Sequence, residues 1–478
     1  MEIVRGYIES INGVIWGPPM LMLLLGVGLF LTIGLSFMPL RKLPYAITQL
    51  FAGRKPHGDS SDGDVTPFAA LMTALSSTIG TGNIAGVAVA IAVGGPGALF
   101  WMWVTAVVGM ASKYAEGVLA VKFREVDADG RHVGGPMYYI HNGLSKRWHW
   151  LAGAFASFGV LASWGTGASI QSNSVADVFS STFSIPPLVT GAVLAIITAA
   201  VILGGIKRIA HVASALVPTM ALAYLAAGVV VLLINYASVP QAFVMIFTNA
   251  FGYDAALGGF VGGAFWMALR FGVARGVFSN EAGQGSAPIA HAAAQNNDPV
   301  NQGVIAMLGT FIDTLVVCTI TGLVIITSGV LGPDCHAFAL MNAVPDAPSN
   351  CLTGAPLTAM AFENALPDVG NYIVAIGLAI FAFTTILGWS YYGERCAEYL
   401  FGEKIVVPFR ISWVVVVFLG AAVLALRGEE ITGLVNLFWL FADSLTGLMA
   451  APNLIALALL SPLVFRMTKE YFDKEENQ

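Results

Sequence analysis

The sequence has few charged residues, few cysteines and no long basic run. Only 10% of its 478 residues are charged, whereas an ordinary soluble domain is nearer a quarter charged. The four cysteines do not show the spacing of a metal site, and no cluster of lysine and arginine of the kind that binds nucleic acid is present. These absences argue against a soluble multidomain protein, against a structural zinc site and against a nucleic-acid partner.

Hydrophobic residues make up 57% of the chain and are grouped in long blocks. About 20 apolar residues suffice to cross a lipid bilayer as a helix, and the 53 glycines suit helices that pack closely or break in lipid. We therefore expect an all-α polytopic membrane protein with eleven spans, at about 17–38, 66–94, 97–121, 149–179, 187–205, 210–235, 259–291, 303–330, 369–399, 407–426 and 432–466. The last block contains Pro452, so it is either one kinked span or two.

The distribution of lysine and arginine predicts the orientation of the chain. These residues accumulate in cytoplasmic loops, and they follow the first, third, fifth and ninth spans and the last one. The segments 180–186, 236–258 and 331–368 contain neither. The pattern predicts a multi-pass protein of the cell membrane with its N-terminus outside and its C-terminus inside. Cys335 and Cys351 share an outer loop and could pair there; the sequence leaves this open.

Two spans contain polar, glycine-rich interruptions at membrane depth. These are Ser76–Asn83 in the second span and Ser279–Ser286 in the seventh. Such backbone is tolerated in a membrane only where it faces protein or a watery cavity. Spans five apart run in opposite directions, which is typical of an inverted repeat of five plus five helices with a site where the two breaks meet. The predicted units are an N-terminal span and loop at 1–65, repeats at 66–235 and 259–466, and a cytoplasmic tail at 467–478.

The interruptions carry groups that suit a zwitterionic ligand and a hard cation. A broken helix offers free N–H groups to a carboxylate and free carbonyls to an ammonium group or sodium. The N–H donors would be Gly80, Thr81 and Gly82; oxygen ligands would come from Asn83, Ser279 and Asn280. Thr384 and Thr385 could complete a cation site, although threonine in a helix usually bonds to its own backbone. Gln171 could line the pocket from the side.

Six ionisable residues fall within the predicted spans, where such residues are costly and suggest function. They are Lys113, Glu116, Arg270, Arg275, Glu281 and Asp313. Structural pairing is the expected role for most of them. Asp313 could approach a cation site, and Glu116 could reach the seventh-span break and satisfy its exposed backbone.

Three segments resemble the alanine or glycine:cation symporter family, and the resemblance extends over nearly the whole chain. They are Gly80–Gly86, Gly95–Ala98 with Trp101–Trp103, and Gly276–Gly283 followed by Ser286–Pro288. The resemblance implies a LeuT-type core of ten spans plus one N-terminal span. It also implies sodium-driven uptake of a small neutral amino acid, alanine or glycine, by alternating access.

The same resemblance implies roles for individual residues. Sodium would be held by the Ser76, Ile79 and Phe381 carbonyls with the Thr384 and Thr385 hydroxyls. A second cation position would use the Thr78 carbonyl, Asn83 and Ser279. The substrate would be held by Thr81, Gly82, Asn83, Gln171, Asn280 and the backbone near Gly283, with Trp389 as an apolar wall.

Several alternatives stay open on the residues alone. Asp313, Glu281 or Glu116 could carry a proton in place of sodium, and the substrate could be a larger neutral amino acid such as glutamine. A channel would require rings of pore groups or a filter loop, and a membrane-embedded enzyme would require a metal cluster or an activated serine; neither pattern is visible. No enzymatic cofactor is expected. The stereoisomer, the sodium stoichiometry and the oligomeric state are not determined by the sequence.

Overall fold

The computed structural model describes residues 2–54, 62–251, 261–331, 352–426 and 429–475, with side chains described except at 2–4, 261–262 and 429–436. Cys335 and Cys351 lie outside the described residues, so their pairing remains a prediction.

The N-terminal half consists of helices joined by short connections. They are α1 (Glu2–Ile15), α2 (Pro18–Gly34), α3 (Met38–Arg41), α4 (Leu43–Ala52), α5 (Pro67–Thr78), α6 (Val87–Gly94), α7 (Ala98–Lys122), α8 (Pro136–Gly143), α9 (Trp150–Ala162), α10 (Ile170–Phe183), α11 (Pro187–Ile202) and α12 (Gly205–Ile234). Wider π-helical turns at Gly82–Gly86 and Ser163–Ser169 precede α6 and α10. A two-stranded antiparallel hairpin, β1 (Glu125–Val126) and β2 (His132–Val133), follows α7.

The second half is also helical. Its helices are α13 (Val239–Ala250), α14 (Val261–Asn280), α15 (Ala287–Ala292), α16 (Pro299–Thr310), α17 (Thr319–Thr327), α18 (Gly354–Ala365), α19 (Gly370–Phe401), α20 (Val406–Ala422) and α21 (Glu429–Glu475). A π-helical segment, Phe311–Cys318, joins α16 to α17. Short 3-10 turns lie at Lys146–Trp148, Tyr236–Ser238, Glu403–Ile405 and Val423–Ala425.

The number of membrane spans is only partly fixed by the helices. Among the described residues, eight helices are long and apolar enough to cross a membrane, or nine if the bent pair Pro67–Thr78 and Gly82–Gly94 counts as one span. Of the other predicted spans, Pro187–Ile202 has only 16 residues, and the seventh is interrupted between α14 and α15. The polytopic all-α class is confirmed, while the count of eleven stays a prediction.

The helices divide into an inner and an outer set. In α7, 83% of the most apolar stretch is buried, whereas in α12 the share is 33%. Consistent with this, α7 packs against α14 and α16, and α12 exposes Leu222 and Leu233 to a relative accessibility of 67% each. Large exposed apolar side chains are stable in contact with lipid tails. α7 therefore lies in the interior of the helix bundle, and α12 lies at its lipid-facing surface.

Three features were not predicted from the sequence. The outer segments assigned as loops contain the short helices α13 and α18, and α1 precedes the first span. The final block is a single helix of 47 residues that contains Pro452 and Pro462. This helix continues to Glu475, into the segment assigned as a tail.

Candidate functional site

The second span is broken at a single extended residue. The two helical parts are bent by 52°, and Ile79 has φ −74° and ψ 94°. The Gly80 N–H donates to Asn83 Oδ1 at 2.9 Å, whereas in a continuous helix it would donate to the Ser76 carbonyl. The Ser76 carbonyl is thereby released from the helical pattern. At the start of the second half-helix, the first N–H groups have no carbonyl one turn earlier to bond.

The seventh span is broken over a longer stretch. α14 ends at Asn280, whose Oδ1 accepts a hydrogen bond from the Ala282 N–H at 2.9 Å. Glu281, Gly283 and Gly285 have φ angles of 54°, 81° and 82°. Glycine adopts this left-handed region at no steric cost, and a glutamate there carries backbone strain. The chain thus turns sharply between α14 and α15.

A small central cavity lies between the two breaks. Its volume is about 20 Å³, which is room for one water molecule. The walls come from both breaks and from α10, α19 and α21, and they consist of Ser77, Thr78, Gly80, Thr81, Gly82, Thr166, Gln171, Phe278, Glu281, Gln284, Thr385, Trp389 and Thr446. The predicted substrate residues Thr81, Gly82, Gln171 and Trp389 are among them, and Asn83, Asn280 and Gly283 are not.

Four of the five residues predicted for the sodium site lie together, each in contact with at least one of the others. The Thr384 and Thr385 hydroxyls donate to the Phe381 carbonyl at 2.9 and 3.0 Å, and Thr385 Oγ1 is 3.5 Å from the Ile79 carbonyl oxygen. Thr384 and Thr385 are both buried. Carbonyl and hydroxyl oxygens are the ligands that hard cations prefer. The fifth residue, Ser76, directs its hydroxyl to the Thr73 carbonyl at 2.7 Å.

The residues predicted for the second cation position converge on a buried carboxylate. Asn83 Nδ2 donates to Asp313 Oδ1 at 2.7 Å, and Ser279 Oγ donates to Asp313 Oδ2 at 2.9 Å. Thr314 adds a hydroxyl at 2.7 Å from Oδ2 and accepts from Asn280 Nδ2 at 3.0 Å. Asp313 is fully buried. The Thr78 hydroxyl donates to the Leu75 carbonyl; the role of the Thr78 carbonyl as a ligand stays a prediction.

Glu281 is held on the cavity wall by two side chains. The Trp389 indole N–H donates to Glu281 Oε1 at 2.8 Å, and the Ser286 hydroxyl donates to Oε2. Glu281 is 2% exposed. Trp389 is therefore more than an apolar wall, because it ties α19 to the seventh-span break.

Glu116 supports the same break from α7. Its Oε1 accepts the Gly285 N–H at 3.1 Å and Asn453 Nδ2 at 2.7 Å. Asn453 also donates to the Gly283 carbonyl at 2.9 Å and accepts from the Tyr139 hydroxyl. Backbone groups that the break frees are satisfied in this way by side chains of two other helices, α7 and α21.

A wider vestibule adjoins the cavity. It has a volume of about 450 Å³, shares Thr81 and Phe278 with the central cavity, and is also lined by Asp177, Arg275 and Asp443. The Arg275 guanidinium lies 5.4 Å from the centre of the Phe278 ring. Phe278 thus stands between the cavity and the vestibule.

A network of ion pairs lies at the other end of α19. Arg395 is 2% exposed and pairs with Glu394 at 2.6 Å, Glu398 at 2.5 Å and Asp127 at 3.6 Å. Burial alone would raise the pKa of Asp127, but hydrogen bonds from the Arg131 backbone and side chain outweigh it and hold the pKa below its usual value. Three levels follow one another along α19. Leu378 lines the vestibule, Thr385 and Trp389 line the cavity, and Arg395 belongs to the ion-pair network. The vestibule therefore lies on one side of the cavity along α19, and the Arg395 network lies on the other.

Some residues at the site were missed from the sequence. Gln284 lies within the polar stretch 279–286, so its composition could have indicated it. Thr166, Thr446 and Asn453 are single polar residues in apolar spans, and nothing in their spacing distinguishes them. Cys318 also belongs to this region: it is buried, and Asn83 Nδ2 lies 3.3 Å from its sulfur.

Comparisons with known proteins agree with this architecture. The sodium/alanine symporter AgcS of Methanococcus maripaludis is 50% identical over 473 residues, which is 98% of each chain. The probable sodium/glutamine symporter GlnT of Bacillus subtilis is 35% identical over 98% of this chain and 91% of its own. The crystal structure of MhsT with L-phenylalanine matches with a TM-score of 0.53 and 13% identity, over 84% of this chain and 97% of that one.

The structural match confirms the predicted LeuT-type fold. Its sequence identity is low, so the match speaks for the fold alone. The model of the sodium:alanine symporter family matches residues 1–478. The protein therefore belongs to the sodium:alanine symporter family and is a membrane transporter.

Proposed function

We propose that this protein couples inward sodium movement to uptake of a small neutral amino acid, alanine or glycine, by alternating access. The observation that carries the proposal is that the second-span break contributes both to the predicted sodium site and to the central cavity. Ile79 offers its carbonyl next to Thr385, and the adjoining Gly80, Thr81 and Gly82 line the central cavity. The 50% identity to a sodium/alanine symporter supports the same ions and substrate class.

Sodium and substrate are coupled through this common backbone. A sodium ion bound by the Ile79 and Phe381 carbonyls and the two threonine hydroxyls fixes the end of α5. That end determines the direction of the Gly80–Gly82 N–H groups, which receive the substrate carboxylate. Each ligand then tightens the other by the same factor, with a coupling of about 1–3 kcal/mol.

The Asp313 group is the proposed second cation position. Asp313 is a carboxylate bound by Asn83, Ser279 and Thr314, and each of these three donors is uncharged. A buried carboxylate is costly to ionise without a cation. Sodium at this position would be held by an acid in addition to the neutral ligands that the family resemblance implies. Protonation of Asp313 would instead give proton coupling, which is the alternative.

The orientation follows from the positive residues and from the two ends of the cavity. With the N-terminus outside and the C-terminus inside, the vestibule faces the exterior and the Arg395 network faces the cytoplasm. The structure then corresponds to an outward-facing state with a closed cytoplasmic side. The 50% identity to a sodium/alanine symporter, against 35% to a probable sodium/glutamine symporter, favours alanine over glutamine as the substrate.

The first expected result concerns the whole protein in proteoliposomes. An inward sodium gradient drives accumulation of radiolabelled alanine, unlabelled glycine competes with it, and an equal potassium gradient does not replace sodium. Uptake driven only by an imposed pH gradient would contradict sodium coupling and favour the buried acids.

The second expected result concerns the sodium ligands. Thr385→Ala removes a hydroxyl beside the Ile79 carbonyl, so the sodium concentration for half-maximal uptake rises about tenfold, the effect of one hydrogen bond or ligand; Thr384→Ala acts in the same direction. Ser390→Ala is the matched control, because Ser390 lies on the same helix and donates only within it, to the Leu387 carbonyl. Equal sodium dependence in all three variants would refute the assigned cation site.

A further inference from the structure

Two buried glutamine side chains face the central cavity from different elements. Gln171 lies on α10 and Gln284 in the segment between α14 and α15. Their relative accessibilities are 3% and 1%, and both line the cavity. Gln284 has no role in the predicted sodium or substrate sets.

The orientation of both amides is fixed by their nitrogen atoms. Gln171 Nε2 donates to the Thr166 carbonyl at 3.2 Å, and Gln284 Nε2 donates to the Val277 carbonyl at 3.0 Å. Exchanging oxygen and nitrogen in either amide would place two acceptors against each other. Each Oε1 therefore points away from these carbonyls, and within the described residues neither Oε1 receives a hydrogen bond.

Two buried acceptors without donors suit a ligand that brings N–H groups. Glu281 lies on the same wall, but its oxygens already accept from Trp389 and Ser286. Gln171 Oε1 lies 3.6 Å from the position that a Cβ on Gly80 would take, so it faces the second-span break. A compact cation with several N–H donors fits these acceptors, and an ammonium group has three.

We propose that Gln284, together with Gln171, receives the α-ammonium group of the substrate through the two Oε1 atoms. This inference rests on the proposed function. The substrate carboxylate lies at the Thr81 and Gly82 N–H groups, and the ammonium lies between the two amides. Gln284 is then a specificity-determining residue, and the transporter accepts α-amino acids and rejects carboxylates that lack the amino group.

The test compares alanine with propionate, which keeps the carboxylate and lacks the amino group. Sodium-driven uptake of radiolabelled L-alanine is measured in proteoliposomes, with propionate as competitor. Gln284→Leu is expected to raise the KM for alanine about 10- to 100-fold, as for a lost hydrogen bond to a charged group. The Ki of propionate changes less than about threefold, since it makes no contact with the amide. Gln171→Leu makes the same deletion on the other amide and is expected to give the same split.

The outcomes separate this inference from the proposed function. An unchanged alanine KM in Gln284→Leu, or an equal rise in the alanine KM and the propionate Ki, overturns the ammonium assignment. The proposed function still stands in that case if the wild type takes up alanine under sodium. Failure of the wild type to accumulate alanine under sodium overturns the function itself. If Gln284→Leu does not fold, Gln171→Leu replaces it. The alanine KM of that variant is expected to rise about 10- to 100-fold while the Ki of propionate changes less than about threefold; an equal change in both constants overturns the inference.

Discussion

Gly82→Leu is expected to abolish alanine uptake. A Cβ at this position would lie 3.1 Å from Ser279 Cα and 3.3 Å from Ser279 Cβ, so three further carbon atoms must displace the seventh span or enter the cavity. Overpacking a well-packed site costs about 1–3 kcal/mol even for a smaller insertion. The side chain also covers the N–H groups proposed to receive the substrate carboxylate. Uptake of radiolabelled alanine should fall below about 1% of wild type.

A second glycine provides the control. Gly86 lies four residues later in the same π-helical turn, and a Cβ there would meet its nearest atom, the Thr81 carbonyl oxygen, only at 4.0 Å. Gly86→Ala should therefore keep the wild-type KM and rate. Intact uptake in Gly82→Leu would show that the substrate binds elsewhere.

Arg395→Ala is expected to destabilise the protein strongly. Arg395 is buried among Glu394, Glu398 and Asp127. Its removal leaves the buried Glu398 without its nearest cation, while Glu394 and Asp127 keep their ion pairs with Arg410 and Arg131. Breaking a buried ion pair from one side costs about 3–5 kcal/mol. Thermal unfolding of the purified protein in detergent should show a melting temperature lowered by several degrees.

Arg395→Ala also tests whether the transporter is closed at the Arg395 end. Loss of the network should favour opening at the Arg395 end, so a cysteine-reactive probe should label a cysteine introduced beside the central cavity from that side more quickly. Lys404→Ala is the control, since Lys404 is an exposed cation close by in the chain. A melting temperature for Arg395→Ala equal to that of Lys404→Ala would contradict the stabilising role.

The positions of the two breaks could be predicted from the sequence because their cause is local. Ser76–Asn83 and Ser279–Ser286 combine glycine with hydrogen-bonding side chains, which is unfavourable for a lipid-facing helix. The contact of Thr385 with Ile79 required the family resemblance as well. From composition alone, a threonine in a helix is expected to hydrogen-bond to its own backbone. Thr385 does make such a bond, to the Phe381 carbonyl.

Glu116 does reach the seventh-span break, as predicted, but the side-chain partners of the buried acids could not be predicted, because they depend on tertiary packing. Asn453 reaches Glu116 from a position 337 residues away, and Asn83 reaches Asp313 across 230 residues. Helices α13 and α18 were missed for a different reason: at 12 residues each, they are shorter than the roughly 20 apolar residues that indicate a span. Gln284 lies within a predicted polar stretch, but its orientation depends on the Val277 carbonyl.

The backbone angles of the two breaks have a consequence for how the transporter can move. The second span leaves helical geometry over only two residues, Ile79 and Gly80. In the seventh span, three residues out of five have positive φ, and Glu116 and Asn453 bond to the backbone of the turn from other helices. Straightening that span would require several coordinated backbone rotations and the loss of these contacts. We therefore expect the seventh-span break to be the more rigid of the two during transport.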